Sequence, residues 1–358
     1  MSLKCIFSTR SFASKITDPE LVFTVNNMRW NAVGGPVEAQ IQAKAGDLTL
    51  GSLIDYLRYP VVIQDETGRD VWWGYVHSVE VTKGKISYGI TLDRLANKVS
   101  VKYSHIHPGI EEVGESRTTT AVTDVESSAE FGTKEQLGSL DSASDEVANG
   151  YRDTLLARTK YPTMLPAFGS GGEGALLVCR GWYDTLDWLF YANSNTTDQV
   201  TTDQVIAIEA AAGQFITGVD IVQASGISSS EYRDGTHTAK AEMEELLKSG
   251  TSSYRRLLAA VGVDRRLAIS EEPVRPSRAT YFIGPDGTFQ DARGLAIESY
   301  FAPVGVWAQL KDVIPPTVDT SRITDPSWIF IDEISWDNGE LTIIPRDSPG
   351  YMDIGGIQ

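Results

Sequence analysis

At 358 residues the chain has room for two or three domains and an ample core. Its formal net charge of −17 argues against a nucleic-acid grip, which needs Lys and Arg to displace counterions, and the plain reading of that charge is solubility. Two cysteines far apart, Cys5 and Cys179, exclude a disulfide framework and a CxxC metal knuckle; no run approaches a membrane span, and MSLKCIFSTRSF lacks the apolar core of a secretory signal, so synthesis in a cytoplasm is expected.

Leu21 to Val25 reads as a strand. Val37 to Lys44 alternates Val37, Ala39, Ile41 and Ala43 against Glu38, Gln40, Gln42 and Lys44, a strand with one wet face. Asp47 or Thr49 caps a short helix that aligns Leu50, Leu53, Ile54 and Leu57, and Pro60 stops it. Val61 to Gln64 is a strand and Asp65 to Gly68 a turn. Val71, Trp73, Tyr75, His77, Val79 and Val81 then share one face of a long strand. Lys83-Gly84 turns it into Ile86, Tyr88, Ile90 and Leu92. The first hundred residues thus predict a small β-barrel or sandwich with one embedded helix.

From Glu111 to Glu146 the chain is polar and rich in Thr and Ser. So few apolar residues do not offset ordering entropy, so a linker, a solvated loop or an arm ordered by a neighbouring subunit is expected. Val147, Tyr151 and Leu155 fall at helical spacing and predict a helix over Ser144 to Thr159, ended by Pro162 and Pro166. Leu176 to Arg180 opens a second β unit, and Gly181 to Tyr191 forms a helical turn with Trp182, Leu186 and Leu189 inward. A tandem Thr-Thr-Asp-Gln-Val, at 196–200 and 201–205, is expected in an exposed loop, where extra length costs little. Val205 to Ile208 and Phe215 to Val222 read as strands, Thr238 to Lys248 and Ser252 to Val261 as helices. Hairpins follow around Pro285-Asp286-Gly287 and Asp337-Asn338-Gly339, and residues after Pro349 read as a tail. The resulting division is 1–108, a first β-domain; 109–174, a polar linker and helix; 175–225, the start of a second β-domain; 226–300, a helical accessory insertion; and 301–358, strands completing the second β-domain.

One pattern occurs twice. Lys85 to Tyr103 (KISYGITLDRLANKVSVKY) and Ala175 to Tyr191 (ALLVCRGWYDTLDWLFY) each run an apolar strand into a short amphipathic turn. The repeat predicts two superimposable units, Leu21 to Tyr103 and a second nucleated by Ala175 to Tyr191. A duplicated unit points to a scaffold, because duplication doubles packing surface more readily than it doubles an active site.

Candidate chemistry is sparse. Gly169, Gly171 and Gly174 match a dinucleotide fingerprint in spacing, but prolines precede it and a strand follows, so it reads as a linker. His105 and His107 lack companions for a metal set. Cys179 lies in an apolar strand and reads as a core thiol. Asp332 and Glu333 are adjacent on a strand and face opposite ways, so they cannot be a catalytic pair; Asp184 and Asp187 sit on the short helix. The aromatics Trp72, Trp73, Tyr75, Trp182, Tyr183 and Trp188 suit a core or a subunit interface better than a sugar platform. No catalytic, cofactor-binding or metal-binding residue is assigned.

In VWWGYVHSVEVTKG, ISYGITLDRLANKVSVKY and LLVCRGWYDTLDWLFY the chain resembles tail hub and tail-tip proteins of tailed bacteriophages; Ala241 to Val263 and Thr280 to Gln290 fit the same layout. The resemblance implies a mainly β fold with helical insertions (α+β): two tail-tube-like β-barrel or sandwich domains, a helical part and a small accessory domain. It implies a non-enzymatic structural virion protein at the tail tip, without cofactor. As a homo-oligomer, a trimer, it would join the tube or distal-tail ring to fibre or spike proteins and line the DNA exit channel. Viral DNA would pass without specific binding, and no membrane insertion is implied. The channel wall is expected to be acidic or neutral, with Glu38 and Glu80 as candidates. The alternatives are a receptor- or carbohydrate-binding tip protein and a cell-wall hydrolase.

Overall fold

The computed structural model describes residues 3–16, 20–44, 47–106, 114–168, 172–221, 223–312 and 327–346. Among them the chain is mainly β, with short helices set around the strands. Fourteen strands join in one sheet; eleven run side by side as Lys15–Ile16, Lys4–Ser8, Pro60–Gln64, Asp70–Lys83, Glu173–Arg180, Gly35–Lys44, Val22–Asn31, Trp328–Asp337, Val306–Leu310, Tyr281–Ile283 and Phe289–Asp291, while Ile86–Thr91 with Met164–Phe168 branches from Asp70–Lys83 and Glu340–Pro345 from Trp328–Asp337. The alternation read in Gly35–Lys44 holds: Ala39, Ile41 and Ala43 are wholly buried, while Glu38, Gln40 and Gln42 lie on the other face, half-buried. The sheet curls until the rings of Phe7 and Phe23 meet, centroids 4.8 Å apart. Inside the curl sit Met28, Ile41, Ile63, Trp72, Val79, Leu177 and Ile331.

The repeated pattern does not produce two separate units. Glu173–Arg180 is hydrogen-bonded antiparallel to Gly35–Lys44 on one side and to Asp70–Lys83 on the other. The physical reason is its apolar run, Ala175 to Cys179, which suits a strand flanked on both sides. The late hairpin Trp328–Asp337 and Glu340–Pro345 likewise joins Val22–Asn31. The boundaries at 175 and 301 therefore do not separate sheets, and Ala175 to Arg180 belongs to the sheet of the first unit.

The single apolar face expected for Val71 to Val81 is also corrected. Asp70–Lys83 carries two register shifts, one near Val71 against Pro60–Gln64 and one between Val76 and Ser78 against Glu173–Arg180. Each inserted residue turns the following side chains over. Trp72, Val76, Val79 and Val81 thus enter the curl of the sheet, while Trp73 and Tyr75 point to a second core outside it.

That second core is built from the 3-10 turn Trp182–Trp188, the helices Thr201–Ala212 and Ala239–Lys248, and a small sheet of Gly218–Ile221, Arg266–Glu271 and Leu257–Val261. Two readings change here. Val205 to Ile208 is helical, and Ser252 to Val261 is a turn followed by a strand, because Gly250 (φ 72°) lets the chain reverse and Leu257, Leu258, Ala259 and Val261 are buried as a β ladder. The helix expected from Thr238 to Lys248 is present as Ala239–Lys248, with Thr238 as its cap, accepting from the Ala241 N–H. The two copies of Thr-Thr-Asp-Gln-Val adopt different structures. The first runs as a loop into the strand Asp198–Val200; the second opens the helix, with Thr201, Thr202 and Val205 wholly buried.

The polar stretch is a folded lobe. Glu135–Ala143 pairs in parallel with Lys98–His105, whose other contacts are Ser116–Thr118 and Val122–Thr123. The helix Asp145–Thr159 is capped by Ser144, and Val125–Phe131 by Asp124. Apolar packing is slight, around Tyr103, Ala143 and Ala148. Backbone ladders and buried polar links take its place: wholly buried Asn97 donates to Gly132 O and accepts from Lys134 N, both at 2.8 Å. His107 and the residues beyond Pro349 lie outside the described residues.

Gly74 and Gly150 should respond oppositely to alanine. A Cβ on Gly74 would meet Arg180 O at 2.0 Å inside the central ladder, whereas one on Gly150, on an exposed helix face, meets nothing within 4 Å. Gly74→Ala is expected to destabilise by roughly 3 kcal/mol, and Gly150→Ala to stabilise by about 1 kcal/mol, both read from urea unfolding.

Candidate functional site

The six aromatics named from the sequence meet at the joint between the two cores. Trp72 and Tyr75 are wholly buried; Trp182, Tyr183 and Trp188 are buried, and Trp73 is half-buried with its indole N–H donated to Val261 O at 2.8 Å. Tyr75 lies 5.3 Å from Trp182 and 5.7 Å from Trp188, centroid to centroid. They join two layers of one chain, and only Trp73 keeps part of its surface open.

Beside them runs a charged seam. The Tyr75 hydroxyl donates to Asp184 Oδ2 at 2.6 Å, and Arg180 reaches Asp184 at 3.4 Å and Asp93 at 3.7 Å. His77 Nε2 bonds Asp93 Oδ1 at 2.8 Å, and Thr91 Oγ1 donates to Asp93 Oδ2 at 3.0 Å. Lys134 donates its ammonium to Leu92 O at 2.8 Å. Burial, with the Asp184 charge, holds the Tyr75 hydroxyl well above its usual range. Burial and then the Arg180 charge push His77 down, so its ring is neutral near pH 7. Burial pulls Asp93 upward, but its bonds to His77 and Thr91 and the Arg180 charge leave it below the usual carboxylate range. The seam holds charge in place, and it positions no nucleophile beside the histidine.

A second cluster gathers around Phe12. The Arg265 guanidinium lies 3.8 Å from the centre of the Phe12 ring and Arg58 lies 5.5 Å from it; Arg58 also stacks at 4.4 Å on Phe215. Arg10 stacks on Phe131 at 4.8 Å and pairs with Glu130 at 2.8 Å. Sequence reasoning missed this cluster, because its members come from five separate stretches with no shared motif.

The other candidates are accounted for in place. Asp332 pairs with Arg256, and Glu333 with Arg29 at 2.6 Å, on opposite sides of the strand as read from the sequence. Asp187 accepts from Thr238 Oγ1 at 2.8 Å. His105 lies 2.9 Å from Asp145. Cys179 is wholly buried, as expected of a core thiol, and burial raises its pKa; the same effect pushes Cys5 up to about 12, so neither is an activated nucleophile. The glycine run leads into the strand Glu173–Arg180, without the helix a dinucleotide site requires.

Acid should weaken the seam in two steps. His77 is depressed in the fold, so the unfolded chain binds the extra proton first; stability is full above about pH 6.5, the ordinary histidine value, and falls as pH drops below it. Asp93, also depressed, adds a second loss below its ordinary range near pH 4. His77→Gln should flatten the urea midpoint between pH 7 and pH 5 while leaving the loss at lower pH.

No family model matches the chain, and no curated protein matches it. Among solved structures it is similar to a 43 kDa tail protein of prophage MuSo2 from Shewanella oneidensis, at TM-score 0.45 and 10% identity over 96% of this chain and 97% of that one. It is similar to a tail protein from Neisseria meningitidis MC58, at TM-score 0.44 and 7% identity over 97% of each chain. It is also similar to the prophage tail protein gp18 from Listeria monocytogenes EGD-e, at TM-score 0.39 and 9% identity over 96% of this chain and 94% of that one.

Proposed function

We propose that this chain is a structural subunit of a bacteriophage tail, closing with copies of itself into a ring between tube and tip. The observation that carries an assembly role is the strand Met164–Phe168. It pairs along one edge with Ile86–Thr91, and all five of its residues, Met-Leu-Pro-Ala-Phe, are exposed. Phe168 is 84% exposed and its cross-strand partner Ile86 is 51% exposed. An apolar edge strand left bare invites uncontrolled pairing unless another protein covers it. Pro166 withdraws one N–H from the strand, which limits open-ended strand addition and favours docking through side chains.

The tail assignment rests on the sequence resemblance, whose segments Val71 to Gly84 and Leu176 to Tyr191 form the centre of the main sheet and the joint beside it. A trimer is the stoichiometry that resemblance implies. The wet face of the central strands suits a DNA-channel wall. Two cross-strand rows, Thr24, Gln42, Leu176, Glu80 and Asn27, Gln40, Val178, Ser78, carry no Lys or Arg, and in the row beyond, Arg29, Glu38, Arg180, the arginines are paired with Glu333 and with Asp184 and Asp93. Such a surface lets phosphate slide past.

Sedimentation velocity on the purified chain tests this. The wild type should form a discrete oligomer. Leu165→Glu with Phe168→Glu should stay folded by circular dichroism, because both side chains are exposed, and should weaken association by about a hundredfold or more, given roughly 1.5–3 kcal/mol for each large apolar side chain buried. Unchanged association in the double variant would remove the docking strand from the reading. A wild-type monomer that fails to bind partner tail proteins would remove the ring.

A further inference from the structure

Arg58 is in an unusual position for a cation. Its side chain is 4% exposed, and only Nη2 has an acceptor, Arg10 O at 2.7 Å; Nε and Nη1 are buried with none. Among the described residues it has no carboxylate partner, and burial together with the Arg10 charge brings its pKa down to about 10. Arg265 donates to Phe215 O at 3.3 Å, likewise without a carboxylate. Around Phe12, three guanidiniums therefore face one acid, Glu130, in a chain of net charge −17.

The backbone is strained at the same place. Phe12, Arg58 and Arg265 have φ of 62°, 67° and 63°, three of the six non-glycine residues with positive φ among those described. Each such residue costs roughly 1–2 kcal/mol relative to an ordinary conformation. A buried cation with open N–H groups adds a further cost. Strain and unmade hydrogen bonds at one point mark a place shaped for a ligand more than for stability. The Phe12 ring lies between the two guanidiniums, on the Thr9–Ser14 turn whose Ser11, Ala13 and Ser14 are exposed.

We propose that Arg58 and Arg265 form an oxyanion site covered by Phe12, and that its ligand is a carboxylate on an acidic segment of a neighbouring protein subunit. When Phe12 swings out, its left-handed strain is released and the open N–H edges of Arg58 meet the carboxylate in a charge-assisted, two-point bond. A protein carboxylate is favoured over nucleic-acid phosphate because the rest of the chain is strongly acidic and repels a phosphate backbone. Acids are abundant on any second copy of the chain, 48 per molecule. The identity of the partner rests on the assembly reading; the site itself does not.

The test uses the full chain with glutarate or inorganic phosphate as probe, and sodium chloride at matched ionic strength as control, followed by thermal unfolding. Glutarate should raise the Tm of the wild type. Phe12→Ala removes the covering ring and keeps the left-handed backbone, so it should bind glutarate about tenfold more tightly, the equivalent of the cation–π contacts that no longer have to be broken. Arg58→Met removes a buried unpaired charge, so it should unfold at the same or a higher temperature than the wild type while losing the glutarate response. A purely structural cation–π role would give the reverse, a lower Tm and no probe effect in any variant, and would overturn the proposal. A response to phosphate alone would overturn the carboxylate and assign a phosphate ligand. Because glutarate reads the site without assembly, a monomeric wild type that still responds would sink the ring and leave the site standing.

Discussion

The main sheet depends on one non-local pairing. Glu173–Arg180 lies between Gly35–Lys44 and Asp70–Lys83, and both neighbours are complete in sequence long before it is reached. Without it the two halves of the first β region would have no ladder between them at the centre of the curl. Closing so long a loop costs entropy before any contact repays it. The repayment is an apolar strand in which Ala175, Leu177 and Cys179 are buried, followed directly by the turn Trp182–Trp188 that seeds the second core. One insertion thus fixes the sheet and pins the second layer on its outer face.

Asp70–Lys83 makes that double use possible. Between its two bulges ordinary alternation sends Trp72 and Val76 into one core and Trp73 and Tyr75 into the other, and the second bulge returns Val79 and Val81 to the first, so a single strand is shared by both. Where the two cores part, backbone and side-chain polar groups would be stranded. The seam of His77, Asp93, Arg180, Asp184 and Lys134 gives them partners. The His77 Nδ1 nitrogen, the accepting atom of the neutral ring, is buried without a donor, so the seam is specified by geometry and is not fully satisfied.

Much of the local structure was legible. The alternation in Gly35–Lys44, the helices read over Ser144 to Thr159 and Thr238 to Lys248, and the Asn338-Gly339 turn, with φ of 47° and 101°, follow from chemistry within a few residues. What failed depended on distant partners. A repeat of strand and turn looked like two domains because pattern carries no information about which strands lie alongside. Two identical pentapeptides took different structures, since Thr201 and Thr202 are buried against Ser225 and the first copy instead pairs with Ser228–Ser230. The polar lobe was read as loop because its stability lies in ladders to Lys98–His105, which composition does not reveal. At the candidate sites, the sequence placed the aromatics and acids, but the partner of each acid, and the whole arginine cluster, came only from the fold.

Charge and apolar surface act together in this molecule. A bare edge such as Met164–Phe168 would promote random association in a neutral protein. A net charge of −17 opposes that at every distance within the screening length, so only an approach that buries the apolar strand against a matching surface gains enough to offset the repulsion. Repulsion without apolar surface gives a monomer, and apolar surface without repulsion gives a precipitate. In the assembly proposed above, both together would restrict contacts to the few geometries in which like-charged copies also find a cationic island, and the one around Phe12, where Arg58 and Arg265 have no carboxylate among the described residues, is of the right sign. The −17 that reads as plain solubility in composition would then act, on the folded surface, as a filter on which contacts form.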